Sequence, residues 1–154
     1  MTSSCHKQGH HHCINQAIKD AEEICESKGS RLTDLRRRVL ELIWADHQSI
    51  KAYDLLSELK KEIPSAKPPT IYRALDFLLE HGLIHKIHSL NAYIGSTTPN
   101  MERPSFLLIC TSCQKVTESD DAEYKELIEN IPNAHNFLPQ KMSLEIEGLC
   151  GDCS

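Results

Sequence analysis

AKPPTIYRALDFLLEHG, residues 66–82, reads as a single helix with both of its ends written into it. Pro68 and Pro69 pre-set the first turn, where the missing N–H costs nothing. Thr70 lies at the start, and Gly82 closes the far end. Ile71, Ala74, Leu75, Leu78 and Leu79 recur at helical spacing as a stripe to bury, whereas Tyr72, Arg73 and Asp76 lie off it. That polar face suits a base-pair edge, because Arg offers a forked donor that meets guanine O6 and N7. Tyr72 can reach phosphate or a thymine methyl. A core helix with a solvated Arg73 fits the periodicity equally well.

Working outward, residues 51–62 predict a helix through Ala52, Leu55, Leu56 and Leu59, stopped by Pro64. Residues 33–46 predict another, with Thr33 as N-cap, Leu35, Val39, Leu42 and Ile43 on one face, and Arg36, Arg37 and Arg38 on the polar face. A first helix fits 14–28 and ends at Gly29. Downstream, LIHKIHSLNAYIG reads as two short strands around Ser89-Leu90-Asn91, a hairpin. Helices followed by a hairpin make a winged helix-turn-helix. GSTTPNMERPS, residues 95–105, is polar and proline-bearing and reads as a linker. Strands at 106–110 and 114–118, a helix near 121–131 and a strand at 142–147 then compose a small α/β domain. The expected fold is α+β: a tail over 1–13, a winged helix over 14–95, a hinge over 96–105 and a second domain over 106–154.

The chain has 154 residues, enough for one ordinary domain or two small ones, and its scarce aromatics leave the core to aliphatic packing. No stretch approaches the ~20 apolar residues of a membrane span. The start, MTSSCHKQGHHHC, lacks an apolar stretch and does not read as a secretory signal, so a cytoplasmic protein is expected. The net charge of −5 is unevenly spread. Residues 28–73 hold ten Lys/Arg against six Asp/Glu, and residues 102–154 hold four against ten. A front half that faces phosphate and a rear half that does not would carry this asymmetry, as would two differently solvated faces.

Cys110-x-x-Cys113 and Cys150-x-x-Cys153 carry the most chemistry. Two residues between cysteines let both thiolates of a knuckle bind one ion, and two knuckles complete a closed tetrahedral site, structural rather than catalytic. A domain of ~55 residues buries too little surface to be secure alone, which gives the metal a physical role. A redox pair is the rival. A thioredoxin-type C-x-x-C opens a helix after a strand, and neither pair here has that setting.

Taken together, AKPPTIYRALDFLLE, SIKAYDLLSELK before it, HGLIHKI after it, RLTDLRRRVLEL, FLLICTSCQKV and EGLCGDC resemble the ferric-uptake-regulator superfamily, closest to its zinc-uptake-regulator branch. Asp34 stands where proline is common. The resemblance spans residues 17–153, with several motifs in the expected order. It implies a homodimer whose C-terminal domains dimerise and whose helix from Thr70 enters the major groove of a palindromic operator. It places Tyr72 and Arg73 as the DNA-contacting pair. Arg36, Arg37, Lys51 and Lys67 are phosphate-contact candidates. It implies one structural zinc per subunit and a second, regulatory ion at the hinge.

At that regulatory site two implied ligands match, His85 and Glu118, and two do not. Ser96 replaces a thiolate, and Arg103-Pro104-Ser105 supplies no histidine. A neutral hydroxyl is a poor zinc ligand and an arginine is none. His85 also fits an ordinary wing histidine, and His88, three residues along a strand, would point to the opposite face. Three arrangements stay open: completion by Cys5, His6, His10, His11, His12 and Cys13, completion by linker oxygens, or altered or lost sensing. The N-terminal cluster equally fits adventitious metal binding. Cys25 lies on an apolar face and reads as core.

The function expected is a zinc-responsive repressor and no enzyme. The alternatives are a family regulator with altered or lost sensing, or a cytosolic zinc-buffering or metal-transfer protein.

Overall fold

A computed structural model describes residues 10–46, 48–99, 106–119, 122–140 and 142–154. It comprises two units, Met1–Asn100 and Met101–Ser154. The first holds α1 (His10–Ser27), α2 (Asp34–Trp44), α3 (Ala52–Glu62), α4 (Pro68–Glu80), β1 (Ile84–Ile87) and β2 (Ala92–Gly95). The second holds β3 (Phe106–Cys110), β4 (Val116–Ser119), α5 (Ala122–Ala134) and β5 (Leu144–Gly148). No described helix is long and apolar enough to cross a membrane.

Local chemistry sets the helix ends of the first unit. Thr33 caps α2 by accepting the Arg36 N–H. At α4, the Lys67 N–H donates to Thr70 Oγ1 at 3.3 Å and the Thr70 N–H to the Lys67 carbonyl at 2.9 Å. Its last turn closes through Leu83 N–H to Leu78 O at 2.9 Å, with Gly82 at φ +67°. Helix α1 starts four residues ahead of the expected position, taking His11, His12 and Cys13 into the helix. No helix breaker stands between Gly9 and Ile14, so nothing in the sequence halts propagation.

The helical stripes meet in one core. Leu40, Ile43, Leu55, Leu59, Ile71, Leu75 and Leu78 are buried, joined by Cys25 of α1. Each such side chain contributes roughly 1.5–3 kcal/mol by leaving water. Strands β1 and β2 pair antiparallel, with His85 opposite Ile94, and a bridge between Ile50 and Tyr93 ties the wing back to the start of α3. The chain's single tryptophan, Trp44, lies against Gly95, where an added Cβ would come within 2.2 Å of the indole. Gly95→Ala is therefore expected to destabilise the protein by about 1–3 kcal/mol through overpacking. The check is a lower urea midpoint, followed by Trp44 fluorescence, at unchanged slope.

In the second unit the sheet order is β4-β3-β5. Strand β3 runs antiparallel to β4 and parallel to β5, with α5 in the crossover between β4 and β5. Strand β4 begins at Val116 rather than the expected 114, because Gln114 turns to φ +60° to complete the knuckle before it. Helix α5 continues past the expected 131 to Ala134, with Pro132 inside its last turn, where it gives up one i→i−4 bond just before the helix ends.

Candidate metal centre and nucleic-acid face

The parallel register pairs Cys110 with Gly148, so β3 and β5 finish side by side and each runs directly into a knuckle. In the first, Gln114 N–H returns to the Cys110 carbonyl at 2.9 Å. In the second, Cys153 and Ser154 N–H return to the Cys150 carbonyl at 2.9 and 3.0 Å. Thr111 N–H donates to Gly148 O at 2.8 Å and lashes the two together. The four Sγ atoms lie within 4.8 Å of one another, and Cys113 and Cys150 Sγ are 3.7 Å apart. A tetrahedral ion with Zn–S bonds of ~2.3 Å sets its sulfurs ~3.8 Å apart. The thiols fit such an ion.

Backbone donors prepare this site. N–H groups of Cys113 and Cys150 point at Cys110 Sγ, the latter from 3.4 Å, and hold that thiol at a pKa of about 6. Cys153, hydrogen-bonded to its neighbour Cys150, is pushed up to about 12. At Cys113 the Lys115 N–H pulls down, but the Cys110 and Cys150 thiols and burial together push it up. Four thiols this close ionise together only with a cation among them, and a divalent ion supplies that charge. None of the four is in a disulfide. Among the described residues, theirs is the one convergent group of three or more His, Cys, Asp or Glu ligands.

The other candidate site residues lie in the first unit. On α4, Tyr72 and Arg73 are exposed and Ile71, Ala74, Leu75 and Leu78 are buried as expected, whereas Leu79 of the expected stripe is half-buried and Phe77, outside it, is buried. Tyr93 of the wing packs near Tyr72 and Asp76, and its burial raises its own hydroxyl pKa. Lys51 and Lys67 are the exposed N-caps of α3 and α4. The three arginines of α2 have different fates. Arg37 pairs with Glu22 of α1. Arg38 pairs with Glu62 at 2.9–3.0 Å and with Glu41 at 3.0 Å. Arg37, expected as a phosphate contact, is held in its partly exposed ion pair with Glu22, a weak restraint that a phosphate can replace. Arg36 has no carboxylate partner among the described residues. Its Nη1 donates to Arg31 O at 2.8 Å, and its guanidinium lies 3.6 Å over the Phe77 ring. Sequence reasoning missed Phe77, which lies outside the expected stripe, yet it is buried and its ring carries the Arg36 guanidinium.

Of the expected regulatory ligands, His85 stands on β1 in the first unit and Glu118 on β4, opposite Leu107, in the second. Ser96 is buried, and its hydroxyl accepts the Thr98 N–H at 3.3 Å. His11 and His12 are exposed on α1. Cys5, His6 and Arg103 lie outside the described residues, as does the His10 side chain.

A winged helix whose presented helix carries an arginine without a carboxylate partner among the described residues, joined on one chain to four convergent thiols, defines a metal-binding winged-helix protein. Residues 27–147 match the ferric uptake regulator family. The zinc uptake regulation protein of Escherichia coli (strain K12) is 37% identical over 139 residues, covering 90% of this chain and 81% of that protein. A solved zinc uptake regulator complexed with zinc and DNA superposes with a TM-score of 0.84 at 36% identity, over 90% of this chain and 93% of its own. Holo XcZur superposes with a TM-score of 0.81 at 37% identity, over 90% and 96%. The chain belongs to the ferric uptake regulator family.

Proposed function

We propose that the protein is a cytoplasmic, zinc-responsive, non-enzymatic repressor that binds palindromic operator DNA as a homodimer. The observation that carries this is the exposed Tyr72–Arg73 pair, with Arg73 free of any carboxylate among the described residues, on the second helix of a helix-turn-helix. Its likeness to a zinc uptake regulator complexed with zinc and DNA supports the same reading. Thr70, Tyr72 and Arg73 face the major groove, Lys51, Lys67 and Arg36 face phosphates, and the winged helix, hinge and second domain divide as the sequence suggests. Zinc held by Cys110, Cys113, Cys150 and Cys153 supplies a rigid crosslink. One sheet face of the second unit exposes Leu108, Leu144 and Ile146 side by side, apolar surface of the kind that a second subunit covers.

His85 and Glu118 take part in the regulatory site. Operator titrations at graded free zinc test this. His85→Ala is expected to raise the zinc needed for half-maximal binding at least tenfold while leaving the tightly held ion in place. A second reading is favoured by Ser96, whose buried hydroxyl replaces a thiolate: regulation with weakened zinc sensing. Operator binding indifferent to zinc in the unaltered protein would select it.

A further inference from the structure

Asp76 is the ninth of the 13 residues of α4, and nothing in the fold calls for an acid there. Aspartate is among the poorer helix formers of the ordinary residues. The position lies beyond the first turn, where a carboxylate would gain from the helix dipole. Its side chain is exposed, and no ion pair or hydrogen bond joins it to another described residue, Arg73 included. On a surface that meets phosphates, such a charge lowers affinity for any duplex. Burial, pairing and capping therefore leave Asp76 unexplained, and a ligand is what remains.

The exposed positions Pro69, Tyr72, Arg73 and Asp76 fall at i, i+3, i+4 and i+7 of α4. A recognition helix presents side chains to base edges at this spacing. Tyr93 of the wing, itself buried, lies near both Tyr72 and Asp76, which puts the carboxylate on the same face as the tyrosine. Three residues of helix rise about 4.5 Å, a little more than one base step of ~3.4 Å. Asp76 thus meets the base pair beside the one that Arg73 meets.

We propose that Asp76 is a specificity-determining residue, whose carboxylate accepts a hydrogen bond from the N4 amino group of a cytosine beside the guanine read by Arg73. The inference rests on the DNA-binding function proposed above and extends its base readout to a second residue type. An ionised carboxylate only accepts. Cytosine alone shows the major groove a donor and no acceptor of its own. Guanine and thymine show acceptors, which the carboxylate repels, and adenine sets an acceptor beside its donor. Asp76 works by exclusion as much as by attraction, and the protein gives up non-specific affinity for it.

For the test, the zinc-loaded protein selects sites from a library of randomised duplexes. These sites are then titrated at fixed salt with one base pair changed at a time. Each half-site is expected to hold a cytosine beside the guanine whose preference Arg73→Ala loses. Asp76→Ala should cut discrimination at that cytosine about tenfold, keep it elsewhere, and bind unrelated duplex more tightly than the unaltered protein. Asp76→Asn should admit adenine at the same place, because an amide donates to N7 and accepts from N6. Being isosteric, it also serves if the alanine variant fails to fold. Discrimination that is unchanged at every base pair in both variants, or lowered evenly along the site, would overturn the inference and leave Asp76 a solvated helix residue. An unaltered protein that recovers no duplex from the library would instead sink the DNA-binding function itself.

Discussion

Stripping zinc with a strong chelator is expected to unfold the second unit, Met101–Ser154, and to leave the helical core of the first standing. The reason is one of scale. Among the described residues of the second unit, those buried are Phe106, Leu107, Ile109 and Cys110. Leu108, Leu144 and Ile146 remain exposed within the single subunit. Binding of a structural tetrathiolate zinc contributes roughly 10–16 kcal/mol of apparent folding free energy, against roughly 5–15 kcal/mol for the whole stability of an ordinary domain. Cys110→Ser and Cys153→Ser should reproduce part of the loss, since each leaves three thiolates, one knuckle being reduced to a single ligand, and the ion is held more weakly. Acid acts in the same direction. Thiolates must lose protons to bind zinc, so falling pH returns protons to sulfur, releases the ion and destabilises this unit. Metal content per chain, read alongside circular dichroism and the oligomeric state during chelation, checks the whole sequence of events. A metal-free protein with unchanged sheet signal and unchanged dimerisation would remove zinc from the architecture.

Much of the fold can be read from sequence because the signals that set it are local. Proline before Thr70, glycine after His81 and a 3.6-residue stripe between them fix α4 without reference to any other element. The thiol centre is equally legible, since a C-x-x-C spacing is itself a knuckle geometry. What sequence cannot carry is the partner of a charge. Arg36, Arg37 and Arg38 are adjacent and chemically identical, and only packing brings Glu22 from α1 and Glu62 from α3 to the second and third of them. The parallel pairing of β5 with β3 is likewise tertiary, because two short apolar runs separated by a helix do not state their own direction. A residue's type also says little about the work its position gives it. Ser96 illustrates this. By type it is a missing ligand, whereas by position it is a buried turn residue bonded to the backbone of Thr98.

Arg73→Ala is expected to abolish the preference for operator over unrelated duplex while leaving the fold intact. Its side chain projects from the exposed face of α4 and makes no ion pair among the described residues, so its removal exposes no buried charge and opens no cavity. A bidentate arginine–guanine contact supports about 1–3 kcal/mol of discrimination against a wrong base. A two-fold symmetric dimer uses the contact once in each half-site, and well-separated contacts add, which doubles the loss to roughly 2–6 kcal/mol. That corresponds to a drop in the ratio of specific to non-specific affinity of between about thirtyfold and twenty-thousandfold. Arg36→Ala provides the internal contrast. Losing a phosphate contact lowers both affinities together and leaves their ratio alone, whereas losing a base contact lowers one of them. Competition titrations with operator and scrambled duplex at matched salt separate the two cases. If Arg73→Ala kept its operator preference, sequence recognition would have to be reassigned, with Tyr72 and the Tyr93-backed face of α4 next in line.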